Sequence, residues 1–126
     1  MGLLEADICI DLLRGHLPAE EWLAKQTEKL GIPGMVALEL MVGIRDKNDA
    51  KRVRIFLDGF DIVWPAQADM ERALRDYGPL ALPHGIGAAD MLIAATATGS
   101  NATLYTFNIK HFRAVPNLVI EQPYTR

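Results

Sequence analysis

Short runs of apolar and β-branched residues recur along the chain, and the segments between them carry helical spacing. The runs are Leu3–Glu5, IPGMV (32–36), DIVWP (61–65), TLYTF (103–107) and NLVIEQP (117–123). Runs this short suit strands, and strands separated by helices pair in parallel through crossover connections. The alternation therefore predicts an α/β domain in three layers, with a mostly parallel central sheet covered by helices on both faces. At 126 residues the chain has the length of one domain, read here as a single unit over 1–126. In open sheets of this kind, sites lie beyond the carboxyl ends of the strands. The residues that follow each run are thus the first place to look for chemistry.

The helical segments read as follows. One runs from Asp7 to Arg14. A second spans 17–30, opened by Pro18 and stopped by Gly31. VALELMVGIR (36–45) is a third, and AKRVRIFLDG (50–59), opened by Asn48 and Asp49, a fourth. AQADMERALRDYG (66–78) is ended by Gly78, and 79–87 is a turn-rich loop. AADMLIAATATG (88–99) reads as a buried helix, and NIKHFRAVP (108–116) as a loop.

Composition removes several classes of function. Net charge is -3 and the pI about 5.5, so any nucleic-acid contact must come from a local patch rather than bulk charge. The single cysteine, Cys9, allows no internal disulfide and fits a reducing, cytoplasmic compartment. It reads as a small core residue, and Met35, Met41, Met70 and Met91 read as core filler. The segment MGLLEADICIDLL is too short and too acidic for a signal peptide, and no apolar run is long enough to span a bilayer. There is no P-loop and no G-x-G-x-x-G. A phospho-acceptor receiver domain would need an acid at the end of the third strand, where Trp64 and Pro65 stand.

Three carboxylates stand out because their surroundings are apolar: Glu5 after LL, Glu39 in VALELMVG, and Asp90 in GAADMLIAA. Each lies near a junction that the fold places at one end of the sheet. Clustered like charges need a cation or protons to neutralise them. Carboxylate oxygens without histidine or cysteine partners favour a hard ion, Mg²⁺ or Mn²⁺. Asp7 and Asp11 read as a helix cap and a solvated helix position. His16, His84 and His111 show no metal-ligand spacing and read as loop or surface residues. Lys47, Lys51, Arg52 and Arg54 read as a solvated helix face. Lys110, His111 and Arg113, beside Asn108, are better placed to meet a phosphate backbone, and Lys110 and Arg113 are the RNA-binding candidates.

Four stretches, in order, resemble the PIN-domain family, and within it the VapC-type toxins of bacterial toxin–antitoxin pairs. LLEADICIDLLRG resembles the opening strand and helix, usually D-T-[ND]-x-L-I-D. VALELMVG resembles the segment that carries the glutamate. GIGAADMLIAATA resembles the D-x-x-I-A-A helix, and ATLYTFNIKHFRAVPNLVI the T-x-[ND]-x-x-H-F loop with its flanking strands. The resemblance implies a PIN fold and a Mg²⁺- or Mn²⁺-dependent endoribonuclease toxin acting on structured RNA such as tRNA or rRNA. It also implies a homodimer held in check by a VapB-type antitoxin. By position, Glu5, Glu39 and Asp90 take the metal-ligand places and Asn108 the fourth catalytic place, with Thr106 and Asp7 in support. Three positions depart from the pattern: Glu5 stands where the family has aspartate, Ala6 where it has threonine, and Asn108 in place of a fourth aspartate, a change the family tolerates. Glu5 leaves a second reading open, a PIN-fold module with weakened catalysis that binds antitoxin and RNA.

Overall fold

A computed structural model describes Met1–Arg126. Five parallel strands form one sheet in the order β3-β2-β1-β4-β5. They are β1 (Gly2–Leu4), β2 (Leu30–Pro33), β3 (Asp61–Val63), β4 (Thr103–Tyr105) and β5 (Val119–Glu121). Seven helices connect them: α1 (Ala6–Leu13), α2 (Leu17–Ala24), α3 (Gly34–Val42), α4 (Lys47–Asp58), α5 (Gln67–His84), α6 (Ala88–Gly99) and α7 (Ile109–Phe112). The expected three-layer α/β/α architecture is thus observed, with a sheet that is wholly parallel. No helix is long and apolar enough to cross a membrane.

The core follows from the strand sequences. Leu3, Leu4, Ile32 and Leu104 on the three central strands are fully buried. Ile8 and Cys9 of α1, Val36 of α3, and Ile93, Ala94 and Ala97 of α6 pack onto them. Alanines on α6 let that helix lie close to the sheet. Connections from β1 run toward β2 and β3, while those from β4 run the other way to β5. Right-handed crossovers place the helices of these two halves on opposite faces. The strand order therefore reverses between β1 and β4, and a crevice is expected beyond their carboxyl ends.

Several boundaries differ from the sequence reading, among them α3, which spans Gly34–Val42 rather than 36–45, so that the run read as extended over 32–36 is strand only to Pro33. The second helix stops at Ala24 rather than 30, and Gly31 is a strand residue paired with Leu3 and Asp61. A Cβ on Gly31 would stand 3.1 Å from the Asp61 carbonyl oxygen and 3.2 Å from Leu3, so this glycine permits close strand approach. The fifth helix passes through Gly78, Pro79 and Pro83 and ends at Gly85. Gly85 has φ of 68°, the left-handed geometry that stops a helix, and its N–H donates to the Ala81 carbonyl at 2.8 Å. The 108–116 segment, read as a loop, contains the one-turn helix α7. Met91 is buried as expected, whereas Met70 is exposed on α5.

Candidate active site

Glu5 directly follows β1. Its backbone N–H still pairs with the Tyr105 carbonyl of β4 at 3.0 Å, so the sheet itself fixes its place. It is the N-cap residue of α1, yet its side chain makes no capping bond. The residue is only 8% exposed. Burial pushes its pKa up to about 7; the Ala6 N–H opposes the shift, while Asp7, Glu39 and Asp90 add to it. Glu39 lies in α3 and is also raised, first by desolvation and then by Asp90. Asp90 lies in the first turn of α6 and is partly buried. Helices α1, α3 and α6 thus bring three carboxylates into mutual repulsion, with Glu5 buried, Asp90 partly buried and Glu39 exposed.

The turn after β4 forms the other wall. Thr106 is fully buried, and its hydroxyl accepts from the Asn108 N–H at 2.9 Å. Asp7 is not the N-cap residue of α1, which is Glu5, but its Oδ1 accepts from the first-turn Ile8 N–H at 2.8 Å, while its Oδ2 accepts from the Phe107 N–H at 2.8 Å and lies 3.4 Å from the Thr106 hydroxyl. Asp7 and Thr106 therefore hold the turn that carries Asn108. Asp11, read as solvated, is buried and hydrogen-bonded to Tyr124 and Arg126. Lys110 and Arg113 are exposed on and just after α7.

His111, read as a loop or surface residue, is partly exposed on α7, and its Nδ1 lies 3.1 Å from Asp90 Oδ2. Its place three positions after Asn108, one helical turn on, brings it back to the same side.

The donor chemistry suits a divalent cation. All three acids offer hard oxygen donors, and their mutual repulsion is what a cation relieves. No three His, Cys, Asp or Glu side chains form a ready-made cage. Mg²⁺ commonly binds through one or two carboxylates and keeps several waters. A cleft of about 370 Å³ opens beside Glu39 between α1, α3 and α4, with Ile10, Leu13 and Leu40 in its lining and Arg14, Arg45 and Arg52 among its polar groups.

The PIN-domain family matches residues 3–118, nearly the whole chain. The chain is similar to ribonuclease VapC19 of Mycobacterium tuberculosis, at 33% identity over 98% of this chain and 100% of that protein. The chain is a PIN-domain protein of the VapC ribonuclease family. Among solved structures, a toxin–antitoxin complex from Klebsiella pneumoniae is similar at 28% identity and a TM-score of 0.80, covering 100% of each chain. VapBC2 from Rickettsia felis, bound to a promoter DNA fragment, is similar at 29% identity and a TM-score of 0.77, over 94% of this chain and 96% of that one.

Proposed function

We propose that this VapC-family ribonuclease is the toxin of a VapBC pair and cuts RNA internally at the crevice between β1 and β4, with a divalent cation as cofactor. The observation that carries the reading is Glu5: a buried carboxylate at the end of the central strand with no cation beside it, repelled by Asp7, Glu39 and Asp90. Glu5, Glu39 and Asp90 would hold Mg²⁺ or Mn²⁺. The chemistry such an ion supplies is activation of water and polarisation of the phosphodiester oxygens. The chain's own residues do the rest. His111 orients Asp90 through its 3.1 Å hydrogen bond. The Asp7–Thr106 pair holds the turn from which the Asn108 amide can position a phosphate or a water. Lys110 and Arg113 are exposed cations that suit the sugar–phosphate chain on either side of the cut. Structured RNA, tRNA or rRNA, is the proposed substrate class.

The proposed partner is a VapB-type antitoxin. The mixed cleft beside Glu39, apolar in its floor and rich in arginine, supports a route by which an antitoxin segment reaches the site. Homodimerisation is proposed as well, on the exposed apolar side chains of α3 and α5: Leu38, Val42, Met70 and Leu74.

The reading is tested by incubating total RNA with the purified, antitoxin-free chain in Mg²⁺ or Mn²⁺, with chelator, and with Asp90→Asn. Discrete cuts that need the ion and vanish in the variant are expected. Cuts that survive both chelator and substitution would place the chemistry elsewhere.

A further inference from the structure

Asp11 is gripped from the far end of the chain. Arg126 donates from Nε to Oδ2 and from Nη2 to Oδ1, both at 2.9 Å, and the Tyr124 hydroxyl donates to Oδ2 at 2.7 Å. A two-pronged guanidinium–carboxylate pair fixes orientation as well as distance. The same guanidinium lies over the Phe107 ring, 4.5 Å from its centroid, and Tyr124 meets that ring edge-on at 5.0 Å. Arg126 Nη2 also approaches the Asp7 carbonyl oxygen at 3.3 Å. Phe107 is therefore held by its ring from one side and by its N–H, through the Asp7 carboxylate, from the other. It sits between Thr106 and Asn108, in the turn that forms one wall of the candidate site.

We infer that Asp11, Tyr124 and Arg126 form a clasp that positions the active site, by locking the 106–108 turn onto the first turns of α1. The inference rests on the reading of the acidic crevice as the ribonuclease site. Arg126 and Tyr124 touch none of the three acids; they act through Phe107 and Asp7 and are positioning residues. Without the clasp, the turn is tied to α1 by the 2.8 Å Phe107–Asp7 bond and the long 3.4 Å Thr106 contact. Those ties reach the turn through a backbone N–H and the Thr106 hydroxyl, whereas the ring contacts hold the Phe107 side chain as well. Reaction rates are sensitive to such placement, since a shift of about 1 Å can cost on the order of a hundredfold.

The test uses the full chain with Arg126→Ala, Arg126→Lys and Tyr124→Phe, the last a mild variant that keeps every carbon of the clasp. Cleavage of an RNA oligonucleotide gives kcat and KM, and NMR gives the backbone amide signals of Phe107 and Asn108. Thermal melting gives the folded fraction at the assay temperature. Arg126→Ala is expected to lower kcat about tenfold or more while KM moves less than about twofold. Lysine should restore only part of this, because an ammonium cannot make the fork. Tyr124→Phe should show a smaller loss of the same kind, and the two amide signals should move in the same order of variants. A kcat within about twofold of wild type in folded Arg126→Ala would overturn the clasp, as would full restoration by lysine. A loss fully accounted for by a smaller folded fraction would do the same. If the wild-type chain shows no cleavage that Asp90→Asn abolishes, the acidic-site reading fails on its own. The amide signals then decide the clasp, and unmoved Phe107 and Asn108 signals in Arg126→Ala reject it.

Discussion

Glu5 and Asp11 are both 8% exposed and both belong to the α1 segment, yet their surroundings drive them in opposite directions. Desolvation raises both. At Asp11 it is outweighed by hydrogen bonds from Arg126 and Tyr124 and by the Arg126 charge, which hold the carboxyl below its ordinary value. At Glu5 no cation answers it, and neighbouring acids push further the same way. Burial alone therefore does not distinguish a structural carboxylate from a functional one. The distinction lies in whether the fold supplies a partner. Asp11 is neutralised by the chain itself, whereas no cation of the chain answers Glu5, which fits the proposed metal role.

The strongest way to break this contrast is to neutralise each acid in turn. Glu5→Gln should lower RNA cleavage by more than the roughly 10–100-fold typical of outer partners. The metal-free protein should at the same time become more stable at neutral pH, because a buried and repelled charge has been removed. A variant that is both active and no more stable would show that Glu5 is already paired.

The pH dependence separates the two acids further. Glu5 binds its proton more tightly folded than unfolded, so the metal-free protein should lose stability as pH rises from about 4.5 to about 7. Integrated over that window the loss is on the order of 3 kcal/mol. Glu5→Gln should flatten this limb in urea titrations. Asp11 has the opposite sign: its contribution is present above its ordinary 3.8 and is lost as pH falls through its lowered folded value. Asp11→Ala should cost about 1–3 kcal/mol at neutral pH, read from the urea midpoint. Smaller again, His111→Ala should slow cleavage about tenfold by freeing Asp90 to rotate, with stability little changed.

The sequence was most legible where a residue's neighbours along the chain decide its fate. LL before Glu5 and MLIAA after Asp90 mark those acids as buried or partly buried, and the alternation of short apolar runs with helices marks the parallel sheet. Boundaries were harder, because a glycine serves different needs in different places. Gly31 admits a neighbouring strand and Gly85 turns a helix off, yet both look alike in one dimension. Least legible were side chains whose partners lie far away. Asp11 meets Tyr124 and Arg126 at separations of 113 and 115 residues, and Asp7 meets Phe107 at 100. No local pattern reports such pairs. His111 needed both the α7 turn and the start of α6 before its bond to Asp90 appeared.

The most direct measurement is a Mn²⁺ titration of the RNA-free protein, followed by electron paramagnetic resonance, for wild type, Glu5→Gln and Asp90→Asn. A saturable site in the wild-type chain that is lost or strongly weakened in both variants is the expected result. Equal Mn²⁺ binding by all three proteins would contradict the proposal that Glu5, at the end of β1, and Asp90, at the start of α6, hold the metal.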